Sequence, residues 1–209
     1  ALTQTEWLFT NGLGSYASGS LCGALTRRYH GLLVASFNPP TDRKVLVSKT
    51  EEIIETPAGI TELGTNFFGN VVAPSGYEYL QKFERDPLPQ ATFAGEGFAL
   101  TKTVFMVYGK NTTVVEFKNT GKESFKLRSK LFFNHRDYHG NTFENPDTNF
   151  YTLSEANRLT TYAYYGACPC LPTTMATFKD KGSGIKTIIF LQKQKEVYKL
   201  QKMCFASEV

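Results

Sequence analysis

The sequence predicts an all-β fold in which two antiparallel sheets pack as a β-sandwich. Helical periodicity is scarce along the 209 residues, whereas apolar and polar residues alternate with a period of two in several segments. Turns rich in glycine and asparagine separate these segments at hairpin spacing. Aromatic residues make up 14% of the chain and suit a sandwich core. We expect one domain over residues 1–209, because no charge block, linker or internal repeat divides the chain.

The clearest predicted strand covers residues 125–133. One face carries Phe125, Leu127, Ser129, Leu131 and Phe133, and the other carries Lys126, Arg128 and Lys130. Residues 115–118 alternate in the same way, and residues 185–191 mark a further strand. The N-terminal region is less regular, with strand-like segments at residues 29–36 and 45–55.

Turn signals join the predicted strands. Residues 95–97, 108–111 and 119–122 are placed between strands at hairpin spacing, and residues 181–184 form a similar turn. We therefore predict an antiparallel meander over residues 78–134.

The composition excludes several classes of function. The chain has 23 Lys+Arg against 19 Asp+Glu, a net charge of +4, and lacks the concentrated basic face of a nucleic-acid-binding protein. No apolar run approaches the roughly 18–20 residues of a membrane helix, so we expect neither nucleic acid nor membrane as a partner. Residues 179–202 carry seven lysines against Asp180 and Glu196. We interpret them as solvated strand faces and lysine-guarded edges, with a polyanion site as the alternative.

The first residues bear on localisation. Residues 1–25 contain no basic segment followed by an apolar one, so no signal peptide is visible and we expect a cytoplasmic protein. Because the chain does not begin with methionine, we expect it to be an excerpt of a longer protein, and a targeting segment could precede it.

The chain contains four cysteines, Cys22, Cys168, Cys170 and Cys204. Without a signal peptide, reduced thiols are expected, and Cys168 and Cys170 are too close in sequence for an easy mutual bridge. Together with His135 and His139 these two cysteines could form a zinc set, but their spacing is tighter than the usual two to four intervening residues. We expect no metal and no cofactor.

Two segments near the N-terminus draw attention. Residues 11–20 (NGLGSYASGS) are not followed by the Gly-Lys-Ser/Thr of a nucleotide phosphate loop and do not lie between a strand and a helix. We therefore interpret their glycines as a site of close packing.

Residues 26–34 (TRRYHGLLV) place two arginines, a tyrosine and a histidine before an apolar strand. In a strand, Arg28 and His30 would face one side and Arg27 and Tyr29 the other. The guanidinium forks suit carboxylates or vicinal hydroxyls, and the alternative is that they tie loops through backbone carbonyls.

A third polar segment, residues 134–139 (NHRDYH), directly follows the best-patterned strand. Strand ends and loops are where rigid scaffolds present functional groups. We expect Arg136 and Asp137 to bond each other's neighbours and Tyr138 to pack.

Glycoside hydrolysis needs two carboxyl groups about 5–10 Å apart. The candidate carboxylates are Glu51, Glu52, Asp137, Glu144 and Asp147.

Seven sequence blocks between residues 6 and 139 form a specific combination. In chain order they are residues 6–19 (EWLFTNGLGSYASG), 26–34 (TRRYHGLLV), 38–40 (NPP), 46–52 (LVSKTEE), 76–80 (GYEYL), 83–89 (FERDPLP) and 136–139 (RDYH). Together they resemble the N-terminal domain of bacterial and archaeal glycogen debranching enzymes. Ser15 stands where the family prefers glycine, Thr50 stands where an apolar residue is expected, and the stretch at Cys168 and Cys170 has no family counterpart.

The resemblance implies both a fold and a function. In the family this segment is a β-sandwich of the supersandwich type that precedes an (α/α)6 barrel. The complete enzyme is an amylo-α-1,6-glucosidase, which hydrolyses the branch-point glucose of glycogen or related α-glucans. Its acid and base carboxylates are expected on the barrel, which lies outside this chain, so the chain alone is expected to be inactive. The implied partners are an α-glucan, glycogen or malto-oligosaccharide, and the catalytic barrel of the same parent chain.

Three functions are open at this point. In the first, the chain is the non-catalytic domain of a debranching enzyme, docks on the barrel and helps form the sugar pocket. The candidate substrate-binding residues are Asn11, Tyr16, Arg28, His30, Arg136, Asp137 and His139, with Tyr29 and Tyr138 as further stacking surfaces. In the second, the chain is a free-standing carbohydrate-binding module. In the third, it is itself a hydrolase, with Asp137, or Glu51 and Glu52, acting with His30 as the acid–base set.

Overall fold

Nearly all of the strands belong to two antiparallel sheets. The computed structural model of the protein describes residues 2–143, 146, 150–155, 158–164, 170–180, 184–192 and 206–208, with side chains over 2–143, 146, 150–154 and 159–164. The elements are β1 (Glu6–Thr10), β2 (Tyr16–Ser20), β3 (Gly31–Asn38), β4 (Thr41–Thr56), β5 (Gly59–Glu62), β6 (Thr65–Phe68), β7 (Val71–Ser75), a 3₁₀ helix (Gly76–Tyr79), β8 (Leu80–Glu84), β9 (Gln90–Gly95), β10 (Phe98–Met106), β11 (Thr112–Asn119), β12 (Lys126–Asp137), β13 (Tyr151–Glu155), β14 (Arg158–Tyr162), β15 (Cys170–Asp180), β16 (Gly184–Gln192) and β17 (Ala206–Glu208).

The order of the strands confirms the predicted all-β sandwich. The first sheet runs β1-β2-β3-β4-β12-β17, and β5 also pairs with β4. The second sheet runs β13-β14-β15-β16-β11-β10-β9-β8, and β6 and β7 form a separate hairpin. Over the described residues, no helical segment combines the length and hydropathy of a membrane span.

The hydrophobic core lies between the two sheets. Leu33, Leu46 and Ile54 enter it from the first sheet, and Leu100 and Phe117 enter it from the second; all five are fully buried. Burial of a side chain of this size stabilises the fold by about 1.5–3 kcal/mol relative to exposure. The alternation predicted for residues 115–118 is confirmed, because β11 places its apolar side chains in this core.

The predicted meander is correct only in part. Strands β8 to β11 are sequential neighbours, and the predicted turns at residues 95–97 and 108–111 join β9 to β10 and β10 to β11. The turn predicted at residues 119–122 is not a hairpin turn, because β12 leaves the second sheet and pairs with β4 in the first. The local sequence gives a turn here but does not specify which sheet receives the next strand.

Strand β12 also extends further than its alternation predicts. Two register irregularities, at Phe132/Phe133 and between Phe133 and Arg136, let pairing with β4 continue as far as Asp137, opposite Lys44. The segment at residues 134–139 is therefore mostly the end of a strand. A bulge bends a strand and turns its side chains, which breaks the simple alternation.

The N-terminal region forms a hairpin and a turn that the alternation does not reveal. Strands β1 and β2 pair with Trp7 opposite Gly19. A Cβ on Gly19 would lie 3.2 Å from the Trp7 indole nitrogen, so the absence of a side chain lets the ring approach the strand closely. Strand β3 begins at Gly31, not at residue 29.

Cys22 is a buried free thiol, whereas Cys168, Cys204 and the side chain of Cys170 lie outside the described part of the chain.

Candidate functional site

Residues 27–29 form a turn, which corrects the predicted extended arrangement. The backbone nitrogen of His30 donates to the carbonyl oxygen of Arg27 over 3.1 Å. Arg28 and Tyr29 are consequently exposed together, while His30 is 3% exposed. Arg27 forms an ion pair with Glu6 of β1. The grouping is thus Arg28 with Tyr29, not Arg28 with His30.

This turn meets the end of β12. The Arg28 Nη1 atom donates to the carbonyl oxygen of His139 over 3.0 Å, and the Tyr29 hydroxyl lies 3.2 Å from His139 Nδ1. The Tyr138 and His139 rings have centroids 3.9 Å apart, and the Tyr29 and Tyr138 rings have centroids 5.7 Å apart. We call Arg28, Tyr29, Arg136, Asp137, Tyr138 and His139 the polar cluster.

Arg136 holds the polar cluster together through backbone carbonyls. Its Nη1 atom donates to the oxygens of Gly140 (3.0 Å) and Asp137 (3.2 Å), and its Nη2 atom donates to the oxygen of Arg28. The planar fork of a guanidinium can serve several carbonyls at once. Arg136 therefore ties loops through backbone carbonyls. Arg28 does the same through the carbonyl of His139, which was the alternative for the arginines of residues 26–34.

Asp137 and His139 are exposed, as Arg28 and Tyr29 are. The Asp137 Oδ1 atom accepts from the backbone nitrogen of His139 over 2.8 Å. Within the described part of the chain, no ion pair involves the Asp137 carboxylate. The prediction that Arg136 and Asp137 bond each other's neighbours holds only for Arg136, which donates to the oxygen of Tyr138 over 3.5 Å. Tyr138 packs on the His139 ring, as predicted, and its hydroxyl accepts from Arg43 over 3.2 Å.

An open groove of about 540 Å³ adjoins the polar cluster. The groove is lined by Glu6, Trp7, Leu8, Tyr16, Ser18, Arg27, Tyr29, His30 and Arg85. Tyr16 donates its hydroxyl to the carbonyl oxygen of Tyr29 over 2.9 Å. Burial, reinforced by the nearby Tyr138, raises the pKa of Tyr16 to about 12, so the hydroxyl stays protonated at neutral pH. The groove and the polar cluster share Tyr29.

The His30 side chain is buried beside the groove, and its ring nitrogens form no hydrogen bond within the described part of the chain. Its Nε2 atom is 3.3 Å from Glu6 Oε1, but neither ring nitrogen has hydrogen-bonding geometry with any described group. Burial lowers the pKa of His30 below its ordinary value, and the Glu6 carboxylate only partly opposes this effect. The imidazole is therefore neutral at pH 7.

Asn11 lies apart from the polar cluster and the groove, and its side chain bonds backbone groups of the protein. It is fully buried; its amide nitrogen donates to the carbonyl oxygen of Lys110 over 2.7 Å, and its Oδ1 atom accepts from the backbone nitrogen of Leu13 over 2.9 Å. Ser15, also buried, bonds Asn111 and accepts from the backbone nitrogen of Ser36. Close packing of residues 11–20 is confirmed, because a Cβ on Gly14 would contact the Pro40 backbone.

Glu51 and Glu52 form buried ion pairs on opposite faces of β4. Lys49 lies 2.5 Å from Glu51, and Lys102 of the second sheet lies 2.9 Å from Glu52. Burial alone would raise the pKa of Glu51, but hydrogen bonds from Lys49 and Asn66 hold it below its usual range.

Among the described residues, the remaining candidates are not grouped into a catalytic or metal site. Neither Glu51 nor Glu52 pairs with His30, and each carboxylate is paired with a lysine instead. Glu144 and Asp147 lie outside the described residues. Over the residues that the structure describes, no three His, Cys, Asp or Glu side chains are grouped to hold a metal ion. The His135 ring packs edge-on against Phe37 and Tyr164 instead.

Several groove residues were missed as site candidates. Glu6, Trp7, Leu8 and Arg85 belong to the matching sequence blocks but were not assigned a role. Leu8 is 63% exposed, which is high for a leucine in a strand. Leu8 stands between two aromatic residues, Trp7 and Phe9, so the local sequence carries no signal that its side chain faces a groove. Nothing local indicates that Arg85 reaches β1, where its Nη1 atom lies 3.5 Å from the oxygen of Glu6.

The fold and the site together define the class of protein. It is a β-sandwich domain in which the polar cluster and the groove form a surface of aromatic and hydrogen-bonding side chains beside the first sheet. The sequence profile described as glycogen debranching enzyme N terminal matches residues 5–198. The chain therefore belongs to the family of glycogen debranching enzyme N-terminal domains. The match confirms the resemblance and extends it beyond residue 139. No match was found among curated proteins or among solved structures.

Proposed function

We propose that this chain is the non-catalytic domain that packs on the (α/α)6 barrel of an amylo-α-1,6-glucosidase, and that the polar cluster borders the α-glucan pocket. One observation carries the proposal: Arg28 and His139, 111 positions apart, are brought into hydrogen-bonding contact. The contact gathers two polar segments into one exposed surface. The branch-point glucose of glycogen or a malto-oligosaccharide is the substrate in this proposal.

The chemistry of the polar cluster suits a neutral sugar. The Asp137 carboxylate oxygens can accept from hydroxyl groups, and the His139 ring adds a donor or acceptor. Tyr29 and Tyr138 offer ring faces for the apolar side of a pyranose. The barrel supplies the acid and base carboxylates in this proposal, which accords with the ion-paired state of Glu51 and Glu52.

Substitutions in the barrel-containing enzyme test the proposal. Asp137→Ala removes a group that would touch substrate, and Arg28→Ala removes the tie that positions His139. Both should raise KM for a branched dextrin, and Asp137→Asn should retain more activity than Asp137→Ala. Glu96→Ala, at an exposed carboxylate in the β9–β10 turn, is the control. If the substitutions at Asp137 and Arg28 leave kcat and KM intact, the polar cluster has no part in the glucan pocket.

The open groove favours a second candidate, a carbohydrate-binding module that acts without the barrel. Its volume of about 540 Å³ lies within the roughly 300–1,000 Å³ typical of ligand pockets, and Tyr16 and Tyr29 line it. Calorimetric titration of the isolated chain with glycogen distinguishes the two. Saturable heat supports the module, and its absence leaves the barrel-dependent role.

A further inference from the structure

The β6–β7 hairpin ends in an exposed, apolar tip. Among the described strands, β6 and β7 pair only with each other, with Phe68 opposite Val71 across a tight turn. The exposed fractions of Phe67, Phe68 and Val71 are 45%, 64% and 60%. A Cβ on Gly69 would have no atom within 4 Å, so the turn projects away from the rest of the described chain. We call residues 67–71 the hairpin tip.

The sequence of the hairpin contains no charged residue. Residues 64–76 (GTNFFGNVVAPSG) are free of Asp, Glu, Lys and Arg, although charged residues make up 20% of the chain. Exposed strands are usually protected by charged side chains, lysine above all. Depletion of charge and enrichment in aromatic residues are typical of the centre of a protein interface, and an exposed apolar patch marks such a surface. The lack of Lys and Arg also argues against an anionic lipid surface, which attracts those cations.

Buried polar contacts hold the base of the hairpin. The Lys49 ammonium donates to the carbonyl oxygen of Thr65 over 3.2 Å and also bonds Asn66 and Glu51. The Asn66 Nδ2 atom donates to Glu51 Oε1 over 2.8 Å, and the backbone nitrogen of Tyr77 donates to Thr65 Oγ1 over 3.1 Å. An element that is fixed before it binds loses little conformational freedom on association. The base therefore presents the tip as a preformed contact.

The hairpin lies on the outer face of the first sheet. Leu131 and Phe133 pack against the core, so Phe132 between them points away from it. Lys49 is the register partner of Phe132 and holds its ammonium 5.3 Å from the centre of the Phe132 ring. Because Lys49 also bonds Thr65, the base of the hairpin is attached to this outer face.

The polar cluster lies on the same outer face. Tyr16, Val34, Val45 and Arg136 are register partners across β2, β3, β4 and β12, and partners in adjacent strands share a face. The residues on either side of Val34 pack in the core, so this row points outward. Val45 and Lys49 are four positions apart in β4, which separates the two rows by about 13 Å along the strand. One partner that covers the polar cluster can therefore reach the hairpin.

We propose that the hairpin tip inserts into a concave, uncharged pocket of the (α/α)6 barrel, which covers the outer face of the first sheet from the polar cluster to the hairpin. The choice of the barrel rests on the proposed function and on the family match, whose description is that of an N-terminal part of an enzyme. The tip is convex and needs a concave partner, whereas a second copy of the hairpin presents another convex tip. The polar cluster and the tip thus have different tasks, sugar contact and docking.

Hydroxyl-radical footprinting tests the proposal on unaltered proteins. At the same radical dose, Phe67 and Phe68 should be oxidised readily in the 209-residue chain and protected in the barrel-containing enzyme. Sedimentation of the enzyme identifies the body that protects them. Protection in a monomeric enzyme supports docking on the barrel. Protection that is confined to a dimer assigns the tip to a second copy and overturns the proposal.

A charge at the tip provides a second test. Phe68 is mostly exposed, so Phe68→Asp should leave the Tm of the 209-residue chain unchanged. In the barrel-containing enzyme, the same substitution places a carboxylate in an uncharged interface, and Phe67 should lose its protection from oxidation. Tyr108→Asp is the matched control, because it replaces another exposed aromatic residue, in the β10–β11 turn, and should leave Phe67 protected.

Two results would overturn the inference. They are equal oxidation of the tip in the chain and in the enzyme, and full protection of Phe67 in the Phe68→Asp enzyme. Both are independent of the KM values measured for the Arg28 and Asp137 variants. An unprotected tip with a raised KM contradicts this inference alone. A protected tip with an unchanged KM contradicts only the role of the polar cluster in the glucan pocket.

Discussion

The guanidinium of Arg28 and the carbonyl oxygen of His139, 3.0 Å apart, join the turn before β3 to the end of β12. Strand β4 lies between β3 and β12 and pairs with both. The position of the polar cluster is therefore set by the first sheet. Arg28 and Arg136 hold its loops together through backbone carbonyls.

Arg136→Lys should destabilise the chain by about 1–3 kcal/mol. An ammonium group is a single point of charge and cannot serve the carbonyls of Arg28, Asp137 and Gly140 together. Urea denaturation measures the change. Arg128→Lys is the control, because a lysine there can still pair with Glu55. Equal midpoints for Arg136→Lys and the unaltered chain would contradict the loop-tying role.

Breaking the Lys102–Glu52 ion pair should cost more than breaking a surface pair. Their side chains are 15% and 4% exposed, so Lys102→Met or Glu52→Leu should each cost about 3–5 kcal/mol by leaving the partner buried. The double variant Lys102→Met/Glu52→Leu should recover much of the loss. A denaturation double-mutant cycle measures the coupling.

The Lys130–Glu62 pair provides the comparison for this cycle. Its atoms are 3.0 Å apart, but its side chains are 51% and 45% exposed. We expect a coupling of less than about 1 kcal/mol there. Similar coupling energies for the two pairs would show that burial of the Lys102–Glu52 pair has no energetic consequence.

Folding stability should fall as the pH is lowered from about 7.5 to 5.5. Burial lowers the pKa values of His30 and His135 below 6.5, so over this range the unfolded chain binds more protons than the folded one. The contribution is fully present above about pH 6.5 and is lost as the pH falls through the folded-state pKa values. Urea midpoints at the two pH values measure it. A His30→Gln/His135→Gln variant should show a smaller difference, and a midpoint that rises on acidification would refute the assignment.

Gly76→Ala should be strongly destabilising. Gly76 is buried and its nitrogen donates to the Gly64 oxygen over 2.7 Å, and an added Cβ would overlap the Leu63 backbone. Overpacking of about 1–3 kcal/mol corresponds to a Tm loss of about 2–12 °C for a chain of this size. Gly140→Ala is the matched control, because its nearest neighbour would be 3.6 Å away. Equal Tm values for the two variants would contradict the close contact.

The local alternation of residues 125–133 was enough to predict a strand, since a half-buried strand repeats every two residues. Its continuation to Asp137 was not predictable, because β4 supplies the partner from far along the chain. The two polar segments were recognised separately for the same reason. Their contact depends on which strands become neighbours, and no local pattern records that.

The roles of buried polar residues were the other feature that could not be predicted from the sequence. Ser15 and Thr50, which depart from the family pattern, both hydrogen-bond within the structure: Thr50 accepts from Lys102 over 2.8 Å. Asn11 was predicted to contact sugar because of its residue type, yet its amide bonds the β10–β11 turn. A polar side chain in a loop has the same sequence pattern whether its partner is a ligand or a distant carbonyl.

The transfer of the chain from one sheet to the other after β11 has a consequence for the nascent polypeptide. Strands β4 and β11 are made early, but their neighbours β12 and β16 emerge from the ribosome later. Until then, one edge of each strand exposes unpaired backbone groups, and such edges template association between chains. Ribosomes that have made the chain only as far as residue 120 should therefore hold an incomplete sandwich that depends on chaperones, and release from that dependence should follow synthesis of β16.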